Sequence, residues 1–519
     1  MVEQKLKKLP LGISDFKKII TGDYLYVDKT QLIYQLITTG EYYFLSRPRR
    51  FGKSLLVSTL AELFVGNREL FKNLWIEQSD YSWQMHPVIK IDFSRVDYSS
   101  IKRLEKSLSK QLYSIAKKYH VIVEKTDSVK DLFDDLIQAL ATINTVVILI
   151  DEYDKPILDY VHDPIQANVR RDILRNFYLV IKASDQLIRF AFLTGVTKFS
   201  KTSIFSGLNN LEDISLDEEY AMFLGYTNEE LNNYFVPYIK VLAQKDVKNS
   251  SNIIGELRRY YDGYSFARNS LPVFNPYSVL SCLKKKSWAN YWFESGTPTF
   301  LIKLLKTGNY SLDRIYQPIM SANELGAFEP SDIKITALLY QAGYLTITNY
   351  NKDTKDYTLD FPNHEVASAF NLLISTSFTQ LTENQTKTYA ALIAQAFVKQ
   401  DLEKLKKLLQ NFFNEMPYNV HISREFDLQI IIFSVFKLIG IEVDPEVATS
   451  LGRADLVVSL PKLVYVIELK FNKTAHEALV QIQDKKYYEK FLNIGKQITL
   501  VGINFESETK TVSLESQNI

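Results

Sequence analysis

Tyr42-Tyr43-Phe44-Leu45-Ser46-Arg47-Pro48-Arg49-Arg50-Phe51-Gly52-Lys53-Ser54-Leu55-Leu56 is the stretch whose reading decides the fold. Its first five residues are aromatic and apolar and suit a buried strand. After Gly-Lys-Ser, Ser58, Leu60, Leu63 and Phe64 continue at helical spacing. Strand, short loop and a helix opening on Gly-Lys-Ser form a phosphate-binding loop. Backbone N–H groups at the helix start face an anion there, and the helix dipole favours it. Gly52, Lys53 and Ser54 are the central candidates. The lysine reaches the β- and γ-phosphates and the hydroxyl holds Mg²⁺. Arg49 and Arg50, inside the loop, are further nucleotide-contact candidates. Arg47 stands where the pattern G-x-x-x-x-G-K-[ST] has glycine, and Pro48 pushes Arg47 toward extended backbone, so the loop must turn differently. Gly-Lys-Ser alone also occurs at helix starts that bind nothing, so a second signal is needed.

Val146-Val147-Ile148-Leu149-Ile150 supplies it. This run reads as a buried parallel strand, and it ends in Asp151-Glu152-Tyr153-Asp154. Carboxylates at the C-terminal end of such a strand lie at the sheet edge where α/β folds bind ligands. Asp151 is the candidate for the Mg²⁺ shell and Glu152 for polarising the attacking water. Ile188 to Gly195 reads as another core strand. Thr194 at its end is a candidate for contact with the γ-phosphate or the water. Lys198, Ser200, Lys201, Thr202, Ser203 and Ser206 follow in a loop that could sense phosphate. The spacing places a strand over 88–93, expected to lie between the phosphate-loop strand and the acidic strand. Arg170, Arg171 and Arg175, on a helix over 168–184, read as a solvated face. Tyr24 and Tyr26, before the phosphate loop, suit either the nucleotide base or the core.

The balance of 61 basic against 60 acidic residues gives no global field to draw in nucleic acid, so any such contact must come from a local patch. The single Cys282 excludes an internal disulfide and fits a reducing compartment. The N-terminus lacks an apolar signal core, and no run approaches the length of a membrane span. A soluble, cytoplasmic protein without membrane contact is expected.

Residues 5–230 read as the nucleotide domain, 231–400 as a mainly helical lid and connecting region, and 401–519 as a third domain. Thr227 and Glu230 form a capping box opening the middle region. Tyr344 to Tyr350 and Tyr357 to Phe361 read as a hairpin.

The last domain carries a second constellation. Gly452 to Val458 is a strand, Pro461-Lys462 a turn, and Val464 to Lys470 the return strand. Folding about that turn sets Asp455 opposite Glu468, with facing Cβ atoms roughly 5 Å apart. Two like charges there are unfavourable unless a cation lies between them. Lys470 shares a face with Glu468. Oxygen ligands suit Mg²⁺ or Mn²⁺, and Lys470 can orient the attacking water or stabilise a pentavalent phosphate. A surface hairpin with one salt bridge is the competing reading. Ser423 is expected to cap a helix over 424–438, with Glu425 in its first turn as a further metal ligand. Thr474 and Glu477 cap the helix bearing Gln481, Lys485 and Lys486.

These motifs, with Tyr26-Val27-Asp28-Lys29-Thr30 and Ser206-Gly207-Leu208-Asn209-Asn210, resemble over residues 9–505 a bacterial family of AAA-ATPase-like proteins fused to a C-terminal PD-(D/E)XK nuclease-like domain. The resemblance implies an α/β P-loop NTPase and a C-terminal α/β restriction-endonuclease-like domain. It implies ATP binding at Lys53, Ser54, Asp151 and Glu152. It implies a metal-dependent nuclease site at Asp455, Glu468 and Lys470, with Glu425 and Gln481 as accessory positions. Gln429 stands where the family often shows histidine. Expected partners are ATP, DNA or RNA, and a second copy of the chain. The expected function is an ATP-hydrolysing module coupled to phosphodiester cleavage. The alternative is a nucleotide-driven switch whose nuclease-like domain binds without cutting.

Overall fold

The apolar runs expected as core strands assemble into one parallel sheet. β1 (Tyr42–Ser46), β2 (Val88–Asp92), β3 (Val146–Asp151), β4 (Ile188–Gly195) and β5 (Glu212–Asp213) lie in the order β2-β3-β4-β1-β5. This order, in a computed structural model describing residues 6–199, 204–205, 208–294, 299–308, 310–325, 334–438, 442–449 and 452–519, corrects one expectation. The strand between β1 and the acidic β3 is β4, and β2 forms the edge. Burial explains the placement. β4 is buried at every position but Arg189, as a central strand must be, whereas β2 exposes Lys90 and half-exposes Asp92.

Helices cover the sheet with stripes set by their sequence. Ile101–Lys118 buries Leu104, Leu108, Leu112 and Ala116, one residue per turn, and Ser100 caps it. Arg170, on the helix Pro164–Ala183, departs from the solvated-face reading. It is buried, donates to the Tyr98 and Gln166 carbonyls, and lies 3.5 Å over the Tyr160 ring. Arg171 pairs with Asp172 on the surface.

The chain forms two compact units, residues 1–297 with 319–365, and residues 298–318 with 366–519. In the first unit the Thr227–Glu230 capping box opens the helix Asn228–Tyr234 as expected. Further helices pack around Leu231, Phe235, Leu257, Phe274 and Val279. A small sheet of β6 (Ile319–Ser321), β7 (Thr346–Asn351) and β8 (Asp356–Asp360) contains the expected hairpin.

The second unit combines helices with the mixed sheet β13-β12-β11-β10-β9, made of β9 (Glu442–Thr449), β10 (Gly452–Ser459), β11 (Leu463–Phe471), β12 (Gln497–Glu506) and β13 (Thr511–Asn518). Val457, Val464, Val466, Ile482 and Leu500 lie in its core. Among the described residues no helix is long and apolar enough to cross a membrane.

Candidate nucleotide and nuclease-like sites

In-register pairing brings the first site together. β1 runs parallel to β4 with Leu45 beside Thr194, and β4 runs parallel to β3 with Leu193 beside Ile150. The phosphate loop, Asp151-Glu152 and Thr194 therefore emerge at one C-terminal sheet edge. The helix Lys53–Phe64 starts there with Gly52 as its N-cap. Lys53 is buried, and its Nζ donates to the Arg47 and Pro48 carbonyls at 2.8 and 2.9 Å. Burial lowers its pKa, and the charges of Asp151, Asp154 and Glu152 oppose that. Burial raises the Asp151 carboxyl, while the hydrogen bond from Ser54 and the Lys53 charge hold it down. Glu152 sits at φ 53°, a left-handed backbone uncommon for a side chain of its type, and burial raises its carboxyl.

Lys53, Ser54, Asp151 and Glu152 thus form one cluster. Thr194 reaches the same edge, but its hydroxyl donates to the Leu45 carbonyl at 2.7 Å and ties β4 to β1. Arg49 and Arg50 are exposed, with the Arg50 guanidinium 4.7 Å over the Tyr277 ring. Lys198 is ion-paired with Asp213. Ser200, Lys201, Thr202, Ser203 and Ser206 lie outside the described residues. Beside the helix start an open pocket is lined by Tyr26, Val27, Phe51, Leu55, Phe223 and Tyr226, among others. Tyr26 packs edge-on against Phe16 at 5.1 Å, so it serves core and cavity wall together.

The second site rests on a hairpin with the expected register. Leu456 pairs with Ile467 and Ser459 with Val464, and Asp455 and Glu468 continue that register one step further. Asp455 accepts from the Leu469 N–H at 2.7 Å and from Gln429 Nε2 at 3.1 Å. Glu468 is 2 % exposed. Its Oε1 accepts from Lys470 Nζ at 2.8 Å and from Gln481 Nε2, while its buried Oε2 has no hydrogen-bond partner. Gln481 reaches it because the helix Ala475–Asp484, opened by the Thr474–Glu477 capping box, lies directly on β12. At Gly502, beside Glu468 in register, a Cβ would stand 2.2 Å from the Ala475 carbonyl, so only glycine permits that approach.

Burial, then the charge of Glu468, pushes the Asp455 carboxyl well above the carboxylate range. Burial also raises Glu468, against the pull of Lys470. Burial works to lower Lys470, but its bond and charge contact with Glu468 leave it raised. Glu425 is exposed at the start of the helix Glu425–Lys437, near enough for both carboxylates to feel its charge. Among the described residues no three His, Cys, Asp or Glu side chains gather as a metal-ligating group. The site is a carboxylate pair with a lysine and two glutamines. The residue at the helix N-cap is Arg424 rather than Ser423. It pairs with Asp427 and donates to the Gly308 carbonyl. Lys485 and Lys486 are exposed, and Lys486 pairs with Glu489.

Residues 10–205 match the family model described as a predicted AAA-ATPase, and residues 423–515 match the PD-(D/E)XK nuclease superfamily. The chain is 38% identical over 523 residues to an uncharacterized protein in the vnfD 5′ region of Azotobacter chroococcum mcd 1, covering 98% of each. The chain belongs to this family of predicted AAA-ATPases with a C-terminal PD-(D/E)XK domain.

Two features of this AAA-ATPase-like site have no counterpart in the motif pattern. Arg47, 1 % exposed, donates to the Ser215 and Tyr220 carbonyls and stacks 4.3 Å over Phe266. The residue in the glycine position is thus a strut between the loop and the 215–220 segment. Asp154 accepts from the Val196 and Thr197 N–H groups and the Thr197 hydroxyl, locking the turn after β4 to the acidic strand. The mismatch at 47 and the second aspartate of Asp-Glu-Tyr-Asp are the sequence signals for these roles.

Proposed function

We propose that the protein binds and hydrolyses ATP at the Lys53–Ser54–Asp151–Glu152 cluster and cleaves nucleic-acid phosphodiesters at the Asp455–Glu468–Lys470 cluster. The observation that carries the nuclease reading is the Asp455–Glu468 pair. Two carboxyls are held together in low dielectric, and one buried oxygen of Glu468 lacks a partner. Such a group is costly unless something satisfies it. A divalent cation fits that donor set, with Asp455 and Glu468 as its protein ligands and Glu425 at the rim. Bound Mg²⁺ or Mn²⁺ would supply Lewis acidity toward a phosphoryl oxygen and a more acidic water. Lys470, kept charged by Glu468, contributes a fixed positive charge toward the phosphate, and Gln481 holds Glu468 in place.

At the nucleotide cluster Ser54 and Asp151 are the residues for Mg²⁺, and Lys53 exchanges its two loop carbonyls for phosphate oxygens. Burial raises Glu152 and makes it a better base near neutral pH for the attacking water. The apolar cavity beside Phe51 and Leu55 suits the base of the nucleotide.

The second reading is a nucleotide-driven switch whose C-terminal domain binds without cutting. It is favoured by the absence, among the described residues, of a third ligating side chain in the group. Cleavage of a mixed DNA and RNA panel with Mn²⁺ separates the two. The nuclease reading expects cleavage by the unaltered chain, loss in Glu468→Ala, and an altered rate in Lys53→Ala. ATP hydrolysis without cleavage in any variant would leave the switch.

A further inference from the structure

The phosphate loop is gripped at successive positions by residues far away in sequence. Arg47 is tied to the 215–220 segment. Pro48 lies against Gly343, where a Cβ would come within 2.5 Å of the Pro48 Cβ, so glycine is required there. Phe51 packs edge-on against Tyr264 and Phe266 at 4.7 and 5.3 Å. Between them, the Arg49 carbonyl accepts from the Trp292 indole N–H at 2.6 Å.

Trp292 is itself held. Its backbone N–H donates to Glu365 Oε1 at 2.6 Å, and its ring packs against Tyr344 at 5.4 Å. Glu365 is completely buried, and its other oxygen accepts from the Ser278 hydroxyl at 2.7 Å. A buried carboxyl is retained at such a place only with its donors in position. Glu365 lies in the first turn of the helix His364–Thr379, and the division between the two compact units falls directly after it. Nothing in the nucleotide chemistry uses Trp292 or Glu365.

We infer that Trp292, oriented by Glu365, is a positioning residue for the phosphate loop, linking the loop's conformation to the head of the helix His364–Thr379. The inference rests on the reading of Arg47–Ser54 as a nucleotide site. Lys53 donates to the carbonyls of Arg47 and Pro48, directly before the carbonyl that Trp292 holds. When Lys53 releases them for phosphate, the Arg49 peptide is the fixed point about which the loop resets. Without the indole N–H that point is free, and part of the binding energy goes into ordering the loop. The effect is read on affinity, separately from the stability of the unit.

The test uses the full chain and a fluorescent ATP analogue with Mg²⁺. Lys53→Ala is the control for the site itself. Trp292→Phe keeps an aromatic side chain and removes the indole N–H. It is expected to weaken binding and raise KM about tenfold with kcat little changed, beyond any loss of melting temperature from the smaller ring. Glu365→Gln keeps an acceptor for the Trp292 N–H and should bind as the unaltered chain does, whereas Glu365→Ala should weaken binding as Trp292→Phe does. Hydrogen exchange on the unaltered chain needs no variant to fold. Nucleotide should change protection in both 288–294 and 364–370. Trp292→Phe binding like the unaltered chain, or no change in protection at 364–370, overturns the inference and leaves the nucleotide site standing. An unaltered chain that binds no better than Lys53→Ala removes both.

Discussion

The two candidate sites differ in what they leave unsatisfied. At the phosphate loop the charged side chains are tied to backbone groups, and the buried atom left over is a donor, Arg47 Nε. Lys53 is parked on two carbonyls, Arg47 on the 215–220 segment, and Asp154 on three donors. At the nuclease-like hairpin two carboxyls are pressed together, and the buried Glu468 Oε2 makes no well-formed hydrogen bond although the Asp455 backbone N–H acts on that carboxyl. On the proposed function, the first site is an arrangement that nucleotide would open, and the second is one that a cation would relieve. The contrast teaches that the ligand's sign is written in the residual imbalance: an anion replaces existing acceptors, and a cation fills a missing donor.

Three substitutions probe that contrast. The largest effect should come from Lys53→Ala, which removes the charge that the proposed function assigns to the β- and γ-phosphates. It should lower nucleotide affinity on the order of a hundredfold, equivalent to about 3 kcal/mol, measured by titration calorimetry. Retained affinity would mean that the lysine belongs to the loop's own architecture. Next is Asp154→Ala, which strands three buried donors. It should destabilise the first unit by about 3 kcal/mol, seen as a lower denaturant midpoint. No loss would erase the claim that this site is held closed by satisfied bonds.

The smallest and opposite effect is expected at Asp455. Its carboxyl is raised in the folded chain, so its contribution is present at acid pH and is lost as pH rises above the ordinary carboxylate range. Asp455→Asn has no such loss. Its melting temperature relative to the unaltered chain should therefore climb as pH rises above about 4, the ordinary aspartate value. Mn²⁺ should raise the melting temperature of the unaltered chain and leave the variant unmoved. A pH-independent difference would show that the pair is not strained.

Local features of both sites were legible in the chain. Strand, loop and helix over 42–64 follow from hydrophobic spacing and Gly-Lys-Ser. The hairpin register follows from counting back from Pro461 and Lys462, because antiparallel pairing fixes the partner once the turn is known. The capping boxes at Thr227 and Thr474 follow from a three-residue spacing. Strand order did not follow, since periodicity says that β2 and β4 are strands but not which neighbour each takes. The partners of Arg47 were equally silent, lying 168 and 173 residues away. Trp292 meets Arg49 across 243 positions, a contact that only the folded chain creates.

The interleaving of the two units has an evolutionary consequence. The second unit draws residues 298–318 from the middle of the chain, where the Gly308 carbonyl receives Arg424 and Asp313 pairs with Arg453. The first unit takes the chain back for 319–365 before releasing it. A single recombination event between residues 318 and 366 would therefore hand a descendant an incomplete second unit, short of the partners that anchor Arg424 and Arg453. Relatives are therefore expected to keep the two segments of the second unit together. The alignment with the Azotobacter protein, running across 98% of both chains, has that form.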